Sequence, residues 1–112
     1  MKIAIDFDGT LWDLAGSHTG PNEILIATAK RLRAQGHHLI LWTCRCEGQG
    51  LEDAVAKCRA HGLEFDAVND NLPEVKEGYG NPRKIVADVY IDDRSAHPAA
   101  IDMLLLAIMA EG

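Results

Sequence analysis

The strongest constraint on this chain is its rhythm, in which short apolar runs rich in β-branched residues alternate with segments whose apolar positions recur at helical spacing. Residues 2–7 (KIAIDF) read as a buried strand that ends at Asp8-Gly9-Thr10. Pro21-Asn22 then opens a helix in which Ile24, Leu25, Thr28, Ala29 and Leu32 share a face, and Gly36 closes it. The scheme repeats. Residues 38–42 (HLILW) predict a second strand, and 51–61 a second helix with Leu51, Ala54, Val55 and Cys58 on one side and Gly62 as its stop. Residues 63–68 and 86–91 predict two further strands, and about 98–110 a last helix. In between, 69–82 holds Pro73, Gly78, Gly80 and Pro82 without periodicity and reads as a long surface loop. Parallel strands need crossover helices, so the expected fold class is α/β: a Rossmann-like three-layer sandwich with a mainly parallel sheet, in one domain over 1–112.

Such a sheet gathers functional groups at the carboxyl ends of its strands, near the point where strand order reverses. The unusual polar residues of this chain fall there. Asp6 and Asp8 end the first strand, Thr43 follows the second, Asp92 and Asp93 follow the fourth, and Lys84 sits in the connection leading to the fourth. Taken singly, an aspartate after a strand is more often a turn residue or a helix cap. Asp6 is different, because a charge within an apolar strand costs several kcal/mol unless it is paired or bound to a metal. Four carboxylates on one edge repel one another unless a cation sits among them, and hard oxygen donors suit Mg²⁺. A carboxylate near such an ion can attack phosphorus and split phosphate-ester hydrolysis into formation and breakdown of an aspartyl-phosphate, with a second carboxylate two residues on to shuttle protons.

Charge and composition narrow the field. The chain carries 17 acidic against 11 basic residues, a net charge of −6, which argues against general nucleic-acid binding. If the four aspartates converge on a cation, most of that excess is spent there, and an anionic substrate still fits. The N-terminus shows no basic n-region or cleavage site, and the longest apolar run, 103–110, is far short of the roughly 20 residues a membrane span takes. A cytoplasmic location without membrane partners is expected. Cys44, Cys46 and Cys58 form an odd set without CxxC spacing and read as reduced thiols, and the five histidines show no ligand spacing.

The DFDGT at 6–10, the LILWT ending at Thr43, Lys84, and the IDD at 91–93 together resemble the four motifs of the haloacid dehalogenase-like superfamily, in order along the chain. The resemblance implies Asp6 as nucleophile and metal ligand, and Asp8 as general acid and base whose backbone carbonyl also faces Mg²⁺. Thr43 would hydrogen-bond a phosphoryl oxygen, and Lys84 would neutralise charge between nucleophile and phosphoryl group. Asp92 would be the direct metal ligand, with Asp93 acting through water or as an orienting group. An acid at position 8 favours phosphatases over the dehalogenases of that superfamily. The segment 9–21 can hold the short helical turn and flap of such proteins but no inserted cap domain, and 69–82 is too short for one, so the capless type is implied. Trp42-Thr43-Cys44-Arg45 matches the WTxR pattern of small capless hydrolases. With Gly9, the residues Thr43, Cys44, Arg45 and Lys84 are the candidate substrate contacts.

A capless site leaves room for a phosphorylated substrate that is small or macromolecular, and the loops 44–50 and 69–82 are the candidates for touching its leaving group. Arg45 and Arg94 read equally well as surface charges. Two alternatives stay open: a phospho-acceptor module resembling a receiver domain, and a phosphate-binding protein with the same site but no activity. The nearly all-apolar 99–110 segment also predicts a homodimer through the C-terminal helix.

Overall fold

The computed structural model describes residues 1–92, 106 and 108–110. Among these residues four strands form one all-parallel sheet, β1 (Lys2–Ile5), β2 (His38–Leu41), β3 (Ala67–Val68) and β4 (Val89–Ile91), in the spatial order β3-β2-β1-β4. The chain moves from β1 outward to β3 and then returns to the far side of β1. The order therefore reverses beside β1, where the carboxyl ends of β1 and β4 meet. Residue-by-residue register fixes this edge, with Ile5 opposite both Leu41 and Ile91.

Period-2 alternation sorts the side chains into two layers. Ile3, Ile5, Leu39, Leu41 and Ile91 pack on one face against helices α1 (Glu23–Ala34) and α2 (Gln49–Ala60), through Leu25, Ile26, Ala29 and Leu32 of the first and Ala54 and Cys58 of the second. Ala4 and Ile40 point to the other face, against Leu72, Val75 and Ile85. Each fully buried Ile or Leu contributes roughly 1.5–3 kcal/mol, so both faces are strongly specified. The three-layer parallel arrangement expected from the sequence is the one observed.

The second face is covered by a helix the sequence reading missed. Residues 69–82 are not a structureless loop: α3 (Pro73–Tyr79) lies within them. Pro73 stands at the first helical position, where its missing N–H costs nothing, so here it starts a helix. The segment is short, and Pro73, Gly78, Gly80 and Pro82 interrupt it with loop signals that mask its helical character in the sequence. The strands are also shorter than expected. Leu63 is buried, but in the turn after α2, and Val86 and Ala87 pack on the second cluster without joining the ladder. Apolar burial and ladder pairing diverge at both places.

Residues 9–21 close on themselves as a short loop over the α1 side. A 3-10 turn (Leu14–Gly16) is bracketed by a bridge between Trp12 and Pro21, and Asp13 N–H donates to the Gly20 carbonyl at 2.7 Å. Neither this loop nor α3 builds a separate domain over the carboxyl edge among the described residues. Residues 106 and 108–110 are helical, with Ile108 buried in the first cluster and Leu106 66% exposed. The dimer expected through the 99–110 helix rests mainly on positions outside the described residues, as do Asp93 and Arg94. No described helix is long and apolar enough to cross a membrane.

Candidate active site

The site is assembled by the ladder itself. One step beyond the Ile5–Ile91 pair, Asp6 N–H donates to the Ile91 carbonyl at 2.9 Å, which stitches Asp6 beside Asp92 at the ends of neighbouring strands. On the other flank Trp42 N–H donates to the Ile5 carbonyl at 2.9 Å, and Thr43 follows. Parallel strands lie about 4.8 Å apart, so Asp6 and Asp92 stand within reach of one small cation. Both are half-buried, and both engage neighbouring groups. Hard carboxylate oxygens on adjacent strands fit a divalent ion such as Mg²⁺ in donor chemistry. Among the described residues, no cluster of three or more His, Cys, Asp or Glu side chains is placed to hold a metal, so these two carboxylates would need backbone carbonyl, water or substrate oxygens to complete a shell.

Thr10 was not singled out in the sequence beyond its place in DFDGT. Its side chain is buried, and its Oγ1 donates to Asp6 Oδ2 at 3.2 Å, which orients the carboxylate. The Thr10 carbonyl in turn accepts from Asn22 Nδ2 at 3.1 Å. Asn22 also caps α1 by accepting from Leu25 N–H at 3.2 Å, so one asparagine ties the helix start to the turn after β1. Gly9 shapes that turn. Its φ of +83° lies in the left-handed region that glycine adopts without strain, and its N–H donates to the Trp12 carbonyl at 2.8 Å. Gly9 therefore serves the site through backbone shape, with its amide engaged inside the loop.

Asp8 is exposed and turned toward β2, where Arg45 meets it with a two-pronged bond: Nε to Oδ2 and Nη2 to Oδ1, both 2.9 Å. A third donor, Nη1, reaches the Gly50 carbonyl at 2.9 Å, and the guanidinium lies 4.8 Å over the Phe7 ring. Arg45, which the sequence left open between anion contact and surface charge, is thus fastened on three sides. Its hydrogen bonds, aided by its charge and that of Lys57 and opposed by partial burial, hold the Asp8 carboxyl below its ordinary range.

Thr43 is half-buried, and its Oγ1 accepts from Arg45 N–H at 3.3 Å, which leaves the hydroxyl proton to donate elsewhere. Cys44 is exposed in the same turn. Lys84 is exposed, with its ammonium 5.7 Å over the ring of Tyr90, two residues before Asp92 on β4. Two asparagines that the sequence reading passed over as loop residues complete the surroundings. Asn69 Oδ1 accepts from Thr43 N–H at 2.8 Å, and buried Asn71 accepts from Val86 N–H at 2.7 Å. Asparagine after a strand ordinarily signals only a turn. The positive φ of Asn69, +51°, belongs to that signature.

The fold and site define a class: a small α/β protein with a parallel sheet whose carboxyl edge collects aspartates and a threonine, with Lys84 placed against Tyr90 of β4. No family model matches the sequence, and no match arises among curated proteins. Among solved structures, a conserved protein from Bacteroides thetaiotaomicron is 37% identical, with 97% of this chain and 91% of that one covered and a TM-score of 0.77. The chain belongs to the same family as that conserved protein.

Proposed function

We propose that this protein is a capless, Mg²⁺-dependent phosphohydrolase of the haloacid dehalogenase-like type, acting through an aspartyl-phosphate on Asp6. One observation carries the reading: Asp6 and Asp92 follow adjacent strands one register step beyond the Ile5–Ile91 pair, with Trp42 level with Asp6 on the other flank and Thr43 one residue further on. Carboxylates so placed favour a bound cation, and the hydroxyl beside them favours an anion. When bound, Mg²⁺ would supply positive charge to offset the negative charge of the phosphoryl group and its approaching nucleophile.

The residues divide the rest of the work. Asp6, oriented by Thr10, attacks phosphorus, the bond to the leaving oxygen breaks, and a protonated Asp8 gives that oxygen its proton. In the second half Asp8 takes a proton from water, the water oxygen attacks phosphorus, and the bond to Asp6 breaks to release phosphate and restore the carboxylate. Thr43 and Lys84 hold the equatorial oxygens. Asp8 needs its proton in the first half, so Arg45 must loosen its grip when substrate arrives, and an anionic group of the substrate is the natural exchange partner for its planar fork.

Turnover tests the reading directly. With Mg²⁺ and a chromogenic phosphate ester, the protein should release many phosphates per chain, lose this activity reversibly to a chelator, and lose it altogether in Asp6→Asn. Release that stops at one phosphate per chain would favour the phospho-acceptor alternative, and a folded, Mg²⁺-supplied protein inert toward sugar, nucleotide, lipid-precursor and nucleic-acid-end phosphates would sink it.

A further inference from the structure

We infer that Asn69 and Asn71 are positioning residues that lock the two anion-facing segments, 43–45 and the one carrying Lys84, into one fixed relation at the end of β3. The inference rests on the phosphohydrolase reading but makes a separate claim about which residues set its geometry.

Asn69 fastens both ends of the turn after β2. Its own N–H donates to the Leu41 carbonyl at 2.7 Å, prolonging the β2–β3 pairing by one step. Its Oδ1 accepts from Thr43 N–H at 2.8 Å, and its Nδ2 donates to the Arg45 carbonyl at 3.0 Å. One carboxamide thus grips the backbone of Thr43, the proposed phosphate contact, and of Arg45, whose side chain pairs with Asp8. Two residues on, Asn71 does the same for the other segment. Its side chain is 2% exposed, its Nδ2 donates to Asn81 Oδ1 at 2.9 Å and to the Pro82 carbonyl at 3.1 Å, and its Oδ1 accepts from Val86 N–H at 2.7 Å. Pro82 and Val86 lie two residues either side of Lys84, so Asn71 pins both ends of the stretch that carries it.

A carboxamide suits this task because it holds a donor and an acceptor apart at the end of one short side chain, whereas ionised aspartate has no donor, leucine has neither, and serine offers both only from a single oxygen. A buried asparagine with a purely structural role could bond anywhere. These two bond to the flanks of Thr43 and Lys84, and the single residue between them keeps their spacing constant. A misplacement of about 1 Å in such groups costs on the order of a hundredfold in rate. Groups that act in the transition state should then lose kcat more than KM.

The test uses the full chain with Mg²⁺ and a chromogenic phosphate ester, together with amide hydrogen exchange followed by NMR. Asn69→Gly tolerates the positive φ and removes both side-chain bonds, whereas Asn69→Asp tolerates it and keeps the acceptor for Thr43 N–H. Asn69→Gly should lower kcat roughly ten- to a hundredfold with KM changed less than about threefold, and Asn69→Asp should recover part of that loss. The Thr43 amide should exchange at least about tenfold faster in Asn69→Gly while Val86 is unchanged, and Asn71→Ala should do the reverse. Should Asn71→Ala fail to fold, the two Asn69 variants decide. A normal kcat in Asn69→Gly with the Thr43 amide released would overturn the inference while leaving the phosphohydrolase reading intact, as would unaltered exchange at Thr43. No turnover in the unaltered protein would instead remove the reading and the inference together.

Discussion

Replacing Arg45 by alanine tests how firmly the loop after β2 is built. Three contributions disappear. The two-pronged bond to Asp8 is short, but Asp8 is 57% and Arg45 27% exposed at the side chain, so solvent screening limits it to about 0.5–1 kcal/mol. The bond to the Gly50 carbonyl adds about 1 kcal/mol, and the stacking over Phe7 about 0.5–1 kcal/mol. The loss in stability should therefore be about 2–3 kcal/mol by urea unfolding at pH 7. A double-mutant cycle with Asp8→Asn should return a coupling of about 0.5–1 kcal/mol that shrinks in high salt. The pH dependence has a definite sign. Arg45 lowers the folded-state pKa of Asp8, so this contribution is present above the ordinary carboxylate range and lost as pH falls through the folded value. In Arg45→Ala the Asp8 carboxyl, followed by NMR, should titrate at higher pH than in the unaltered chain. Zero coupling, with Asp8 titrating identically in both proteins, would refute the pairing and the argument built on it.

Other perturbations have equally definite outcomes. Burial pushes the Cys58 thiol up to about 11 from 9.0, so it should resist iodoacetamide at pH 8 while exposed Cys44 and Cys46 are alkylated, as mass spectrometry would reveal. The same raised value means the associated stability is complete below about pH 9 and falls by roughly 2–3 kcal/mol as pH climbs toward 11, visible as a falling urea midpoint. Thr10→Val should cost about 1 kcal/mol in unfolding free energy and lower kcat, because Asp6 loses its orienting donor. Leu72→Ala should cost about 2–4 kcal/mol, because Leu72, the N-cap of α3, is 1% exposed and packs with Val75 on this face of the sheet, and a loss under about 1 kcal/mol would show that the start of α3 does not cover it.

The two long helices and the central strands can be read from residue order because their signals are repeated in Ile3 and Ile5, Leu39 and Leu41, and Leu25, Ala29 and Leu32 of α1, although Ile24, expected on that face, is 75% exposed and Ile26 is buried in its stead. α3 escapes that reading because it is only seven residues long and because Pro73, Gly78 and Gly80 look like loop punctuation until packing shows Pro73 opening a helix. The site divides in the same way. Asp6 stands out because a charge interrupts an apolar strand, whereas Asn69, Asn71 and Thr10 look like ordinary turn residues. Their role lies in bonds made across 26, 15 and 4 positions, and sequence spacing does not encode such partners. Arg45 shows the limit most clearly, since its link to Asp8 spans 37 positions and exists only once β1 and β2 pair.

The most direct measurement concerns Asp6, the proposed carrier of phosphate. Asp8→Asn keeps a group of the same shape but removes the proposed base for water, and a chromogenic ester with a good leaving group needs no acid to phosphorylate Asp6. The variant, quenched after mixing with such an ester and Mg²⁺ and reduced with borohydride, should yield homoserine at position 6 by peptide mass spectrometry. Reduction product at any other aspartate, or phosphate release with position 6 always unmodified, would contradict the account.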